Sequence, residues 1–127
     1  MSSNYQDLHV WQQSMELAEQ IYMVTENFPK REWYGLTQQV RRAVISVASN
    51  IAEGKGRRSD RDFLRFLFTA RGSLFEVETQ IALAERLRYL ESHEAALAVK
   101  ERISLVARSL TGLINSLSTQ LPATTRS

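Results

Sequence analysis

Apolar residues recur along this chain at intervals of three and four, in four stretches separated by short breaks. That interval is the period of an α-helix with one buried face. The first stretch, about 8–27, sets Leu8, Trp11, Met15, Ala18 and Tyr22 in a seam, with Val10, Leu17, Ile21 and Val24 in the neighbouring row. Glu16, Glu19 and Glu26 lie on the other side. Phe28-Pro29 closes it, because the residue before a proline is pushed out of the α region. The second stretch, about 35–53, carries Leu36, Val40, Ala43, Val47 and Ile51. Gly54 follows, and glycine takes a left-handed helix cap at low cost. The third, about 59–89, opens on Ser59, a capping residue, with Asp62 three positions on. Phe63, Phe66, Leu67, Ala70, Leu74, Val77, Ile81 and Ala84 form its stripe. The fourth, about 92–117, is marked by Ala95, Val99, Ile103, Val106, Leu110, Leu113 and Leu117. Nothing reads as a strand, and short connections turn successive helices antiparallel. The pattern predicts an all-α, antiparallel up-and-down four-helix bundle, with residues 1–127 as one domain and Pro122–Ser127 as a frayed polar end.

Composition narrows the chemistry. A chain of 127 residues buries a core without staples. It has no cysteine, which excludes disulfides and thiolate chemistry and suits a reducing compartment. No apolar run approaches the roughly 20 residues of a membrane span, and MSSNYQDLHV lacks the parts of a secretion signal. The expected location is the cytoplasm.

Charge changes the picture more. The net charge is +2, but residues 1–29 hold four acids and no Lys or Arg. Residues 30–71 hold ten basic and four acidic residues, and residues 72–127 hold six of each. Thirteen of the sixteen basic residues are Arg. Arginine forks fit phosphate and carboxylate oxygens, and they serve equally in salt bridges within a bundle.

Three constellations stand out. The joint between the second and third stretches reads Gly54-Lys55-Gly56-Arg57-Arg58-Ser59-Asp60-Arg61, with Arg65 one turn on. Exposed N–H groups at a helix start favour anions, so Lys55, Arg57, Arg58, Arg61 and Arg65 form the candidate nucleic-acid phosphate site. The plainer alternative is a solvated turn with helix-end salt bridges. Gln39, Arg42, Ser46, Asn50 and Glu53 form a polar stripe on one helix face, expected as a hydrogen-bond network between helices or subunits. A catalytic Glu53 finds no supporting acid, histidine or metal set. Leu64, Phe68 and Phe75 form a second apolar row on the third stretch, either a subunit contact or a wide core face. Gly72-Ser73 beside it is expected to allow close helix packing. His9 and His93 lie on different stretches without the spacing of a di-iron bundle. No metal or cofactor motif appears.

Several runs together resemble a known family. They are Leu8-x-Val10-Trp11-Gln12-x-Ser14-Met15-x-Leu17-Ala18, Phe28-Pro29-x-x-Glu32-x-x-Gly35-Leu36-Thr37-x-Gln39-x-Arg41-Arg42-Ala43, Ser46-x-x-x-Asn50-Ile51-Ala52-Glu53-Gly54 with Gly56-Arg57, and Phe66-Leu67-x-x-Ala70-Arg71-Gly72-Ser73-Leu74-x-Glu76. The set is similar to the four-helix-bundle proteins encoded in intervening sequences of bacterial 23S ribosomal RNA genes, over roughly residues 5–90. The resemblance implies a cytoplasmic bacterial bundle assembled as a ring-like homopentamer. A more distant similarity is to the accessory protein of diversity-generating retroelements, a basic pentameric barrel that binds nucleic acid and works with a reverse transcriptase. The family brings no agreed catalytic residues.

The expected function is therefore non-enzymatic. The chain reads as an oligomeric module that contacts RNA or DNA phosphates through the basic joint. The alternative is a structural or protein-interaction module whose arginines pair with acidic faces.

Overall fold

The computed structural model describes residues 4–121, so the expected polar end at Pro122–Ser127 lies outside the described residues. Four long helices dominate: α1 (His9–Thr25), α2 (Gln38–Lys55), α3 (Asp60–Arg86) and α4 (His93–Thr119). A 3₁₀ turn, Tyr5–Asp7, precedes α1, and a 3₁₀ turn, Lys30–Glu32, runs into a π-turn, Trp33–Thr37, before α2. No strand occurs among the described residues. Each helix packs on the next, and α1 closes the ring on α4. This is the expected four-helix bundle.

The core follows the three-four repeat. On α3 it is Phe63, Leu67, Ala70, Leu74, Val77, Ile81 and Ala84. On α2 it is Val40, Val44, Val47, Ile51 and Gly54, with Ala43 and Ala48 alongside. Such a seam keeps one stripe facing the bundle axis over many turns. On α4 the buried positions are Ala96, Val99, Ile103, Val106, Leu110, Ile114 and Leu117, so Ala95 and Leu113 sit at the edge of that face.

Helix α1 departs from the expected seam. Its buried face is the neighbouring row, Val10, Leu17 and Ile21, joined by Ser14 and Thr25. The two hydroxyls enter the core because each donates back to a carbonyl one turn earlier. Ser14 Oγ bonds Val10 O and Thr25 Oγ1 bonds Ile21 O, both at 2.7 Å. A buried hydroxyl satisfied in this way leaves no stranded donor. Met15 and Tyr22, placed in the seam by spacing alone, are left 41% and 40% exposed.

The connections explain the helix ends. Helix α2 starts later than Gly35, which lies outside helical geometry at φ −110°, ψ −114°. Glu32 fills the space there. Its carboxylate accepts from the Leu36 N–H at 3.2 Å and from the Tyr89 hydroxyl at 2.9 Å. A Cβ on Gly35 would stand 2.8 Å from Glu32 Oε1, so a side chain would push the carboxylate aside. These bonds, the Leu36 N–H first, hold the Glu32 carboxyl below the usual glutamate value, with a smaller contribution from nearby Arg31. Phe28, Leu36 and Ala84, with Tyr89 and Leu90, make a second small core beneath this knot.

Helix α3 stops at Arg86, short of Tyr89. Arg88 takes a left-handed conformation at φ 62°. The Tyr89 N–H then bonds Ala84 O at 2.9 Å and the Arg88 N–H bonds Glu85 O at 3.0 Å. That is the Schellman pattern, made here without glycine.

Candidate nucleic-acid interface

The joint between α2 and α3 spans only residues 56–59. Gly54 does not cap α2. The helix runs through it to Lys55, and no glycine among the described residues has a positive φ. Gly54 instead lets α3 approach closely. A Cβ there would stand 2.7 Å from Phe66 Cβ and 2.8 Å from Phe63 Cδ1. At the other side of the turn Ser59 caps α3, its Oγ accepting from the Asp62 N–H at 3.1 Å. Helix packing fixes one end of the joint and a side-chain cap fixes the other.

The five cations of the joint divide into two groups. Arg57 lies over Phe66, 4.6 Å from the ring centroid, and pairs with Glu53 at 3.7 Å. Lys55 stands 6.0 Å above the Phe63 ring, and Arg65 pairs with Asp62 at 3.3 Å. Exposed interactions of this kind are each worth at most about 1 kcal/mol, so a stronger anion displaces them. Arg58 and Arg61 are exposed, and their side chains have no partner among the described residues. The start of α3 is already served by the Ser59 cap and carries Asp60 and Asp62 in its first turn. The arginines, rather than the helix-end N–H groups, supply the attraction for an anion.

The polar stripe faces α3. The Ser46 and Ser73 hydroxyls share a 2.8 Å hydrogen bond across the helix pair. Asn50 Nδ2 donates to Ser46 O at 2.8 Å and to Ser46 Oγ at 3.0 Å. Gln39 and Arg42 lie further along the same groove, and Glu53 belongs to the joint through Arg57.

The expected apolar row on α3 is divided. Leu64 is only 6% exposed and belongs to the core, because it stands one position from the Phe63 seam and faces inward with it. Phe68 and Phe75 remain 45% and 56% exposed, with the Arg71 guanidinium 5.0 Å over the Phe68 ring. Gly72 does not mediate close packing: a Cβ there would meet nothing within 4 Å. Ser73, its neighbour, is the residue that touches α2.

Two features escaped the sequence. The first is a groove of about 360 Å³ between α1 and α2, lined by Tyr5, Trp11, Met15, Ala18, Ile45 and Ala52 among others. The displaced α1 seam was its signal. The second is Arg41, which donates to Thr25 Oγ1 at 2.9 Å and pairs with Glu26 at 3.3 Å. Its guanidinium lies over Tyr22 and Trp33, 4.4 and 5.2 Å from their centroids. It ties α1, the π-turn and α2 together.

Among the described residues no three His, Asp or Glu side chains gather as a metal site. No helix among them is long and apolar enough to cross a membrane.

A regular up-and-down bundle with an arginine-rich second joint defines the class of protein. The sequence pattern of the 23S rRNA-intervening sequence protein family matches residues 6–112, and the chain belongs to that family. It is similar in fold to a crystal structure of a protein of unknown function from the S23 ribosomal protein family of Bacteroides thetaiotaomicron. The TM-score is 0.73 and the identity 24%, over 83% of this chain and 97% of that one. No curated protein matches it.

Proposed function

We propose that this chain is a non-enzymatic, self-associating bundle protein of the cytoplasm that binds the phosphates of RNA or DNA through its α2–α3 joint. The observation that carries the reading is the state of Arg58 and Arg61. They are exposed and unpaired among the described residues, Arg58 on a turn held at both ends and Arg61 in the first turn of α3, with Lys55, Arg57 and Arg65 beside them held only weakly. The apolar α1–α2 groove supports self-association, and the family resemblance implies five copies in a ring. A ring repeats a weak phosphate site and raises its avidity.

The test is anisotropy titration of labelled structured RNA and duplex DNA across a salt series, with Arg57→Ala/Arg58→Ala/Arg61→Ala beside the unmodified protein. Log affinity is expected to fall linearly with log salt. The slope is expected to be shallower by roughly two to three in the triple variant, since each phosphate neutralised by an arginine contributes about 0.7–0.9. Equal binding by both proteins, or none at low salt, rejects the joint as a phosphate site and leaves the protein-interaction reading.

A further inference from the structure

The chain leaves α1 at Phe28-Pro29 and enters α2 through the π-turn, and between these two breaks lies a hollow of about 460 Å³. Phe28, Pro29 and Trp33 wall it. Trp33 and Thr37, the first and last residues of the π-turn, both line it. Segments of π-helix are rare and recur at functional sites. The hollow is remote from the basic joint: Thr37 to Lys55 is about 27 Å along α2 at 1.5 Å per residue. Its volume and its mainly apolar walls with a few polar groups are those of a small-molecule site.

Two buried threonines line the hollow, and they differ in one respect. The Thr25 hydroxyl is spent: it donates to Ile21 O at 2.7 Å and accepts from Arg41 Nε at 2.9 Å. Thr37 is only 2% exposed, and its hydroxyl has no hydrogen-bond partner among the described residues. Nor is that hydroxyl shut off from the surface, as the unpartnered Gln13, Gln20 and Gln80 carbonyl oxygens are. It is therefore open to whatever fills the hollow, as donor and as acceptor. The charges at the rim differ in the same way. Glu26 pairs with Arg41 at 3.3 Å, whereas Lys30 is exposed and has no partner among the described residues.

We infer that this hollow binds a small aromatic acid: a planar ring against Trp33 and Phe28, a carboxylate at Lys30, and a ring hydroxyl or N–H bonded to Thr37 Oγ1. The inference does not rest on the phosphate reading of the joint. Each part of the ligand answers one part of the lining. The two aromatic walls favour a ring, since aromatic pairs gain more than their buried area alone supplies. Water can serve a lone hydroxyl, but it gains nothing from three apolar walls. Lysine acts as a point charge and lacks the fork with which arginine grips a phosphate. One such charge, with the Glu26 carboxylate on the same rim, suits a singly charged acid. A phosphate brings nearly twice the charge and meets more repulsion from Glu26.

The test takes the ligand apart. Para-hydroxyphenylacetate carries both polar groups, phenylacetate lacks the hydroxyl, and para-cresol lacks the carboxylate. Each is titrated into the whole protein while the Trp33 indole N–H is followed by NMR, its signal assigned by its loss in Trp33→Phe. Para-hydroxyphenylacetate is expected to bind with a Kd of about 1 mM or tighter, the range for a ligand of its size. It is expected to bind about five-fold tighter than phenylacetate, the worth of one hydrogen bond. Thr37→Val removes the hydroxyl and is expected to erase that preference. Its urea midpoint is expected to hold or rise, because the hydroxyl makes no bond within the protein. Lys30→Gln, a surface change, is expected to weaken both acids about three-fold and to leave para-cresol unaffected. A Trp33 signal that does not move at about 10 mM acid overturns the site, and so do unchanged ratios in both variants. Adenosine monophosphate binding in the hollow more tightly than the acid overturns the ligand class. Arg57→Ala/Arg58→Ala/Arg61→Ala is expected to bind the acid as the unmodified protein does, so failure of the joint leaves this site standing.

Discussion

Helix α2 has two flanks, and they are built on opposite terms. Toward α3 it presents Ala43, Ser46, Asn50 and Gly54, small or polar side chains that let the helices close until Gly54 has no room for a Cβ. Toward α1 it presents Ile45, Ala48, Ser49 and Ala52 against Met15, Ala18 and Trp11, and there the helices leave an open apolar trough. Close approach on one side fixes the joint and the polar groove above it. Looser packing on the other leaves hydrophobic surface against water, which a lone protein has little reason to keep. The comparison teaches that one helix separates two kinds of surface, polar on its α3 side and apolar on its α1 side.

The sharpest way to break the contrast is to enlarge the closed flank. Gly54→Val drives two methyl groups toward Phe63 and Phe66 and is expected to cost about 3 kcal/mol, read from the urea midpoint followed by circular dichroism. Gly72→Ala is the matched control. It enters open space on α3 and is expected to gain up to about 1 kcal/mol from helix propensity. A neutral Gly54→Val would show that the approach of α3 constrains nothing.

The next effect is on the open flank. Met15→Glu/Ile45→Glu places charge in the apolar trough. Association is expected to weaken by about 2 kcal/mol or more, roughly a thirty-fold rise in dissociation constant by sedimentation equilibrium. Monomer stability is expected to change little, since both side chains are exposed. An unchanged oligomer would move the subunit interface elsewhere, with Phe68 and Phe75 the next face to test.

The smallest effect concerns pH and lies away from both flanks. The Glu32 carboxyl titrates below its unfolded value, so its stabilising contribution is complete above the ordinary glutamate range. It disappears as pH falls through the depressed folded value. Glu32→Gln keeps one oxygen to accept from the Leu36 N–H, turns an NH2 donor toward the Tyr89 hydroxyl, and removes the charge. Its stability deficit is expected at neutral pH and to vanish in acid, in urea melts across pH. A deficit independent of pH would assign the role of Glu32 to shape alone.

The bundle was legible because its signals are local. Three-four spacing marks each helix, Pro29 ends the first, and Ser59 caps the third as its type suggests. Spacing misleads where a residue's role depends on what lies across from it. It ranks Met15 and Tyr22 above Ser14 and Thr25, since it does not weigh a hydroxyl that satisfies itself on its own helix. Gly54 and Gly72 look alike in sequence, yet only Gly54 meets another helix. Leu64 groups with Phe68 by spacing, but the drift of the seam turns it inward. The Glu32–Tyr89 knot joins residues far apart in the chain, beyond any local pattern. The arginine joint was visible as composition; which of its cations stay unpaired was decided by Phe66, Glu53 and Asp62.

The shortness of that joint has a kinetic side. Four residues, tethered by the packing at Gly54 and the Ser59 cap, give the arginine backbone almost nothing to lose on meeting a ligand. A partner arriving by electrostatic attraction need not wait for a loop to fold. Salt would therefore be felt chiefly in the rate of encounter.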